Sequence, residues 1–204
     1  DYLGQIKQES KQPVVSAVKH YFRLLFGDNH PYGQPYTGTG TEKSINAITR
    51  SDLIDYYKKN YFSNNATVIV VGDISTNEAE IKINQYLGRW NSGNAVLSKV
   101  PSPEKRSKRE VYLIDKPDAP QSVIIMGNLG IKRNDPDYLA TYVMNTALGS
   151  QFTSRLNMNL REDKGYTYGT GSFFSSRKGI GPFGCYAPVQ TKYTKAAIRE
   201  MIKE

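Results

Sequence analysis

The sequence predicts an α+β fold in which an antiparallel sheet is layered with helices. Short β-branched segments indicate strands, and stretches with apolar residues every three or four positions indicate helices. In the second half of the 204 residues these elements follow the order β-α-β-β-α-α-β-β-α. Strands that follow one another directly favour hairpin pairing, so the mixture indicates an antiparallel sheet rather than a doubly wound parallel one.

The first part of the chain predicts two helical stretches and a long connection. Residues 1–12 are polar and tolerate a helix, and Pro13 can occupy the first turn of the helix that follows. Gly27 is placed to end that second helix. Its apolar stripe consists of Val14, Val15, Val18, Tyr21, Phe22 and Leu25. Residues 27–43 are rich in glycine and hold two prolines, which is typical of an irregular connection.

A helix, a strand and a further helix are predicted next. Thr49 can cap the first of these helices, with Asp52 giving a weaker version of the capping box. The inner face of this helix is expected to contain Leu53, Ile54 and Tyr57. The β-branched run at 66–72 predicts a strand in the core of a sheet. A helix at 76–90 is expected to direct inward Ile81, Ile83 and Leu87. Residues 91–108 are polar and are expected to form a surface linker.

Residues 109–204 predict four strands and three helices. The strands are expected at 109–115, 120–129, 166–176 and 180–189, and the helices at 135–148, at 153–164 and from residue 192. Asp135 is expected to cap the first of these helices. The apolar positions of that helix are Leu139, Tyr142, Val143 and Ala147. Gly165 is expected to form the turn between the second helix and the strand that follows it.

Composition and charge exclude several classes of function. No apolar run approaches the ~18 residues of a transmembrane helix, and no nucleotide-binding glycine motif lies between a strand and a helix. The formal net charge of +8 is spread along the chain, so nucleic-acid binding is a weak hypothesis. The single cysteine, Cys185, cannot form an internal disulfide and is interpreted as a small apolar strand residue.

Both ends of the sequence predict a piece of a longer polypeptide. Asp1 stands where an initiator methionine would be. The last residues, KAAIREMIKE, stop in the middle of a helical pattern. We therefore expect further chain on both sides of this piece.

Residues 148–171, LGSQFTSRLNMNLREDKGYTYGTG, carry the candidate site residues. Arg161 lies at the end of a predicted helix, and Tyr168 lies seven positions later at the start of a predicted strand. When the chain folds back at Gly165, a cation and a phenol at this spacing can face the same space. On spacing alone, a solvated helix-end cation and an ordinary strand aromatic would fit these two positions as well.

Two long patterns, in the right order, resemble the pitrilysin/insulinase/mitochondrial processing peptidase family of inverted-zincin metallopeptidases. The first lies within residues 27–73 and consists of His30-Pro31-Tyr32-Gly33, Gly38, Ile45, Ile48, Asp52-Leu53, Tyr56-Tyr57, Asn65-Ala66 and Gly72-Asp73. The second consists of Gly149, Phe152, Ser154-Arg155-Leu156, Leu160-Arg161-Glu162, Gly165 and Tyr168. The chain most resembles the short bacterial type, in which two homologous domains face each other as a clamshell.

The resemblance implies the LuxS/MPP-like metallohydrolase fold and a division of the chain. Residues 1–65 would be the C-terminal helical tail of a preceding, zinc-type domain. Residues 66–204 would be most of a second, substrate-binding domain that is truncated at its C-terminus. The inverted H-x-x-E-H zinc motif of the family is not in this sequence, whose only histidines are His20 and His30. We therefore expect no cofactor in this piece, and zinc in the full-length protein or in a partner subunit.

The resemblance also implies roles for residues of the second pattern. In the family, an Arg and a Tyr reach across the closed chamber to the substrate backbone near the scissile bond. Carried over, these catalytic residues are Arg161 and Tyr168. Tyr166 competes for the role of the tyrosine. It directly follows Gly165 and is expected to face the sheet core, but strand alternation would place it on the same face as Tyr168.

Apart from the resemblance, structural roles are expected for three residues. His20 is expected on the surface and His30 in a turn. Arg155 is expected to pair with a neighbouring acid or carbonyl.

The preferred hypothesis is the substrate-binding, non-zinc portion of a zinc metallopeptidase, inactive by itself. It would act on peptides together with a zinc-bearing homologous domain, in cis or in a partner subunit. The alternative is a non-catalytic homologous subunit, or scaffold partner, of a zinc-bearing peptidase. A basic nucleic-acid-binding module is the third hypothesis, and it depends on net charge alone.

Overall fold

The computed structural model describes residues 1–95 and 99–204. Its backbone forms two compact units: Asp1–Glu42 together with Val100–Glu204, and Lys43–Lys99. No helix in the described ranges is long and apolar enough to cross a membrane. The division after residue 65 that the resemblance implies stays a prediction.

Two helices begin the first unit, α1 (Tyr2–Lys11) and α2 (Pro13–Phe26). Proline opens α2, and Gly27 ends it with a φ of 84°, in the left-handed region that favours glycine. Within the irregular connection predicted at 27–43, a single 3-10 turn at Pro31–Gly33 precedes the next helix. The sequence therefore predicts this part of the backbone correctly.

The second unit is mainly helical. Its helices are α3 (Glu42–Ala47), which begins at the boundary, α4 (Arg50–Asn60) and α5 (Thr76–Leu87). The capping box predicted for α4 is confirmed. The Asp52 carboxylate accepts from the Thr49 N–H at 2.8 Å, and the Thr49 hydroxyl accepts from the Asp52 N–H at 3.3 Å. The described part of the predicted linker at 91–108 holds no helix or strand, and residues 96–98 lie outside the described residues.

The sheet of the first unit is antiparallel, as predicted. Its strands, in the order β1-β3-β2, are β1 (Gln121–Leu129), β3 (Pro182–Gln190) and β2 (Gly171–Phe174). In this register Ile124 lies opposite Ala187. The predictions for β1 and β3 are confirmed, whereas the strand predicted at 166–176 is limited to four residues in its second half, Gly171–Phe174.

The two helices predicted at 135–148 and 153–164 each change geometry part-way. The segments are α6 (Tyr138–Asn145) with a π-helical turn at Thr146–Ser150, and α7 (Arg155–Asn157) with a π-helical turn at Met158–Asp163. The expected cap at Asp135 is wrong, because Asp137 occupies that position. The Asp135 carboxylate instead accepts a hydrogen bond from the Asp137 N–H at 3.0 Å.

Helices cover both faces of the sheet. On one face, α7 with its π-helical turn and α8 (Thr194–Lys203) pack on the strands. The core there consists of Ile124, Leu156, Leu160, Cys185, Ala187, Val189, Ala197 and Met201. On the other face, the Tyr21 hydroxyl of α2 donates to the Phe183 carbonyl, and burial raises the pKa of Tyr21 well above its usual range. A Cβ on Gly127 would lie 2.6 Å from that hydroxyl, so the close approach of α2 requires glycine.

Several apolar stripes that were predicted to face inward are exposed. The most exposed members are Leu53 and Tyr57 of α4, Ile81 of α5, and Leu139, Tyr142 and Val143 of α6. Helical periodicity reports which side chains share a face, but burial of that face requires a second layer. Among the described residues of the same unit, no such layer covers these stripes.

The predictions of strands at 66–72 and 109–115 are wrong for this structure. Among the described residues neither segment pairs with a strand, and Val71 and Leu113 are 93% and 95% exposed. A β-branched run favours an extended backbone, but a strand also needs a neighbour to supply hydrogen-bonding partners. Sequence pattern alone does not specify that neighbour.

Candidate functional site

Arg161 lies in the π-helical turn that follows α7, and its side chain makes two contacts. Its guanidinium carbon lies 4.4 Å from the centroid of the Phe152 ring, within cation–π range. Its Nε also lies 3.4 Å from Oε1 of Glu162. The side chain remains about one third exposed. Arg161 is therefore a partly exposed cation that rests on an aromatic ring.

Phe152 is a site residue for which sequence reasoning assigned no role. It lies in the turn between the two helical segments and is 58% exposed, so it contributes little to the core. Its ring supports the Arg161 guanidinium instead. The available signal was its place in the second family pattern, nine positions before Arg161.

Tyr168 lies in the loop between the π-helical turn and β2. Gly165 begins this loop with a φ of 62°, as the predicted turn requires. The Tyr168 side chain is 90% exposed, the highest exposure among the tyrosines of the described residues. Among the described residues, no hydrogen bond or ring contact joins Tyr168 to Arg161. The structure thus presents both groups on one short segment, separated by a glycine turn.

Tyr166 occupies a different environment from Tyr168. Its ring stacks on Tyr193 with centroids 4.6 Å apart, and it packs against the core cluster. Its N–H donates to the Leu160 carbonyl at 2.9 Å. The expectation that alternation would put both tyrosines on one face fails because residues 166–170 do not form a strand. Of the two tyrosines, Tyr168 has the phenol available to a ligand.

Buried polar side chains fasten the loop that carries Tyr168. Thr167 donates to the Pro188 carbonyl at 2.6 Å, and Thr170 donates to the Tyr186 carbonyl at 2.6 Å. The Thr170 N–H donates to Oδ1 of Asn157 at 3.3 Å. These bonds connect the loop to β3 and to α7, beside one backbone hydrogen bond from the Gln190 N–H to the Tyr166 carbonyl at 3.3 Å.

The pairing expected for Arg155 is confirmed. Its Nε donates to Oε2 of Glu204 at 2.9 Å. Asn159 donates to carboxylate oxygens of both Glu204 and Glu200, at 2.6 and 3.0 Å. The hydrogen bond from Asn159 is the largest cause of the lowered pKa of each carboxyl group. This cluster joins α7, and the π-helical turn that carries Arg161, to the end of α8.

The HPYG segment has a structural role. Nδ1 of His30 accepts from the Tyr32 N–H at 3.0 Å, and Nε2 lies 3.0 Å from the Pro101 carbonyl. The Tyr32 hydroxyl accepts from the Gly179 N–H at 3.0 Å. The segment therefore fastens the connection after α2 to the turn between β2 and β3, and the turn role expected for His30 is confirmed.

The described residues do not fit a zinc site. In residues 1–95 and 99–204, no three His, Cys, Asp or Glu side chains are grouped to hold a metal ion. Both ring nitrogens of His30 have protein partners, and Nδ1 of His20 lies 2.8 Å from the Ser16 carbonyl. Cys185 is buried, which raises the pKa of its thiol to about 11 and leaves it protonated at neutral pH.

A shallow groove lies beside the turn that carries Phe152. Its volume is about 450 Å³. It is lined by Tyr142, Val143, Thr146, Ala147, Gln151 and Thr153. Gln151 and Thr153 flank Phe152 in the chain, so one turn both lines the groove and carries the ring that contacts Arg161.

The model of the family described as "Peptidase M16 inactive domain" matches residues 47–204. The chain belongs to the peptidase M16 inactive-domain family. An uncharacterized zinc protease of Streptomyces coelicolor is 30% identical over 193 residues, which are 91% of this chain and 40% of that protein. A probable inactive metalloprotease of Bacillus subtilis is 28% identical over 88% of this chain and 43% of its own length. A probable mitochondrial-processing peptidase subunit beta of Schizosaccharomyces pombe is 30% identical over 71% of this chain.

Solved structures agree with this membership. A peptidase M16 inactive domain from Pseudomonas fluorescens has a TM-score of 0.89 and 29% identity, and the match covers 99% of this chain and 48% of that one. A chain of complex III2 from Candida albicans, 19% identical with a TM-score of 0.81, shares the fold. The resemblance and the α+β fold are thereby confirmed. This M16 inactive domain spans less than half of the length of these relatives, several of which are named zinc proteases.

Proposed function

We propose that this M16 inactive domain is the substrate-contacting, non-zinc portion of a peptidase that hydrolyses peptide bonds in a chamber between two homologous domains. The zinc-bearing domain would lie on the same polypeptide or on a partner subunit. One observation carries the proposal: a cation held on an aromatic ring and an exposed phenol on a fastened loop occupy one short segment.

The two side chains have complementary chemistry for this role. Attack of water on a peptide carbonyl generates a negatively charged oxygen, to which a tyrosine hydroxyl can donate a hydrogen bond. A guanidinium donates several hydrogen bonds in a fixed planar fork and keeps its charge at all physiological pH values. In the proposal, Tyr168 donates to the developing oxyanion and Arg161 binds a substrate carbonyl or carboxylate nearby.

The domain alone is proposed to be inactive. Its described residues hold no group of side chains that could bind the metal, and zinc belongs to the relatives by name. In relatives of this kind, metal chemistry would come from the other domain. The side chains described here would bind and orient the peptide.

Steady-state kinetics of the full-length protein, with its zinc-bearing subunit if that is a separate chain, test the proposal. Arg161→Ala and Tyr168→Phe are each expected to lower kcat/KM by about 10²–10³. Two matched controls are expected to keep activity. Arg133→Ala removes an arginine that stacks on a different aromatic ring, that of Tyr138, and Tyr86→Phe changes another highly exposed tyrosine. Equal activity of all four variants and the parent protein would contradict the proposal.

One comparison favours a second candidate function, a non-catalytic homologue that acts as a scaffold for a zinc-bearing partner. The Bacillus subtilis relative is named a probable inactive metalloprotease. The kinetic variants separate the two candidates. Loss of activity in Arg161→Ala and Tyr168→Phe supports the substrate-contacting portion of a peptidase, whichever chain binds the zinc. Full activity of both variants, with zinc found only in a copurifying homologous subunit, supports the scaffold.

A further inference from the structure

We propose that Thr167 and Thr170 are positioning residues that fix the backbone on both sides of Tyr168, so that its phenol is presented in one orientation before substrate binds. This inference deepens the proposed function and rests on it for its catalytic consequence. Its structural content concerns only the loop at 165–170 and can be tested separately.

The first anchor is Thr167, which is 8% exposed. Its hydroxyl donates to the Pro188 carbonyl of β3 at 2.6 Å and lies 2.9 Å from the Gly169 carbonyl. The same oxygen accepts from the Gly169 N–H at 3.2 Å. The Thr167 side chain therefore connects β3 to Gly169, the residue that follows Tyr168 in the chain.

The second anchor is Thr170, which is 4% exposed. Its hydroxyl donates to the Tyr186 carbonyl of β3 at 2.6 Å, and its N–H donates to the Asn157 amide at 3.3 Å. Asn157 is itself buried and donates to the Gln151 carbonyl at 3.1 Å. Through Asn157, the loop is thus connected to the turn that contains Gln151 and Phe152, the aromatic residue on which Arg161 rests.

Hydroxyl anchors have a geometric consequence that ladder pairing would not have. In a paired strand, residues two apart point to the same face, so Tyr166 and Tyr168 would share an environment. Here the loop is held on β3 by the two threonine hydroxyls and by a single backbone hydrogen bond, from the Gln190 N–H to the Tyr166 carbonyl. Tyr166 packs on the core, while Tyr168 is exposed to solvent. The threonines thereby decide which tyrosine is available.

Preorganisation explains why such anchors would matter for turnover. A donor on a mobile loop must be ordered during the reaction, whereas a donor on a fixed loop is ordered when the protein folds. Loss of an anchor is therefore expected to lower kcat more than it changes KM. It would do so only when the Tyr168 hydroxyl is present.

The test combines hydrogen exchange and kinetics on the full-length protein, with its zinc-bearing subunit if that is a separate chain. Thr167→Val removes the hydroxyl at nearly constant shape, and Thr167→Ser restores it. Thr194→Val is the matched control, because Thr194 also makes two short hydroxyl hydrogen bonds, at 2.7 and 2.8 Å, but to Thr191 and Ser122.

The expected results are specific. In Thr167→Val, amide exchange of Gly169 and Thr170 rises at least about tenfold and kcat falls about tenfold, while KM changes less than about threefold. Thr167→Ser recovers most of both losses, and Thr194→Val moves neither. In a Tyr168→Phe background, Thr167→Val has little further effect on kcat.

Three results would overturn the inference. Unprotected Gly169 and Thr170 amides in the parent protein would show that the loop is not fixed. Full activity of Thr167→Val beside an impaired Tyr168→Phe would remove its catalytic consequence and leave the proposed function intact. An equal loss from Thr167→Val with and without the Tyr168 hydroxyl would assign Thr167 a general structural role. Full activity of Tyr168→Phe, in contrast, would end the proposed function of Tyr168, while the exchange data would still decide whether the loop is fixed.

Discussion

The guanidinium of Arg161 lies over the ring of Phe152, with 4.4 Å between the guanidinium carbon and the ring centroid. Neither side chain is fully buried, so this contact is not a consequence of core packing. It restricts the rotamers of a long side chain whose planar fork would otherwise sample many orientations. The contact thereby converts a surface arginine into a directed donor.

The first prediction concerns the contact between Phe152 and Arg161. If the proposed function holds, Phe152→Ala is expected to lower kcat/KM of the full-length protein about twofold to fivefold, which corresponds to the 0.5–1 kcal/mol of an exposed cation–π contact. Phe152→Tyr, which keeps an aromatic ring, is expected to retain activity. Thermal unfolding of both variants should match the parent, because Phe152 is 58% exposed. If Phe152→Ala lowers kcat/KM by the same factor in an Arg161→Ala background, Phe152 does not act through Arg161, and the prediction is wrong.

The second prediction concerns the close packing of the π-helical turn at Thr146–Ser150 on β2. A Cβ on Gly149 would lie 2.4 Å from the Ser172 nitrogen, a backbone atom that cannot move aside. Gly149→Ala is therefore expected to destabilise the protein by about 1–3 kcal/mol in urea unfolding. The control Gly72→Ala meets no atom within 4 Å and should lie close to the parent. Equal stabilities of the two variants would refute the packing.

The third prediction concerns acid stability. The Glu9 carboxylate accepts from Lys19, from Thr39 at 3.0 Å and from Thr37 at 3.3 Å, and it is 7% exposed. The hydrogen bond from Lys19 is the largest cause of a pKa lowered from its ordinary value of 4.5. A lowered pKa in the folded state contributes stability above pH 4.5 that is lost as the pH falls through the folded-state pKa.

Glu9→Gln is accordingly expected to reduce stability at neutral pH and to flatten the dependence of stability on pH below 4.5. Urea unfolding from pH 7 to pH 3 would measure both effects. The exposed Glu80 provides the control variant Glu80→Gln, which should leave the curve unchanged. A Glu9→Gln curve parallel to that of the parent would show that Glu9 is not the group responsible.

Local signals predicted much of the backbone. The proline that opens α2, Gly27 that closes it, and the Thr49–Asp52 capping box each act within one helical turn, so sequence alone located them. The two strands with strong patterns, β1 and β3, were also located correctly. These features depend on neighbours in the chain.

Features that depend on distant neighbours were not predicted. The contact of Phe152 with Arg161 requires the π-helical turn, and no sequence signal identified that turn. The Thr167 anchor requires the register of Pro188 in β3, which lies 21 residues away. The run at 66–72 has strand-forming residues but no strand partner among the described residues. In each case the missing information was the identity of the partner.

The site residues themselves came from the family patterns. Spacing alone did not separate Arg161 and Tyr168 from a solvated cation and a strand aromatic. The structure adds their surroundings: the Arg161 guanidinium rests on the Phe152 ring, and the exposed Tyr168 phenol lies on a loop that is hydrogen-bonded to β3. Tyr166 and Tyr168 differ in environment because residues 166–170 do not form a strand, and threonine hydroxyls of this loop donate to carbonyls of β3.

Site-specific photocrosslinking is the most direct test of substrate contact. A benzophenone amino acid would replace Tyr168 in the full-length protein, with Tyr86, which is also highly exposed, substituted in parallel as a control. Irradiation with a labelled peptide substrate, followed by mass spectrometry, reports contact without requiring turnover. The account predicts crosslinks from position 168 to residues flanking the cleaved bond, and none from position 86. Labelling that is absent at position 168, or equal at both positions, would contradict it.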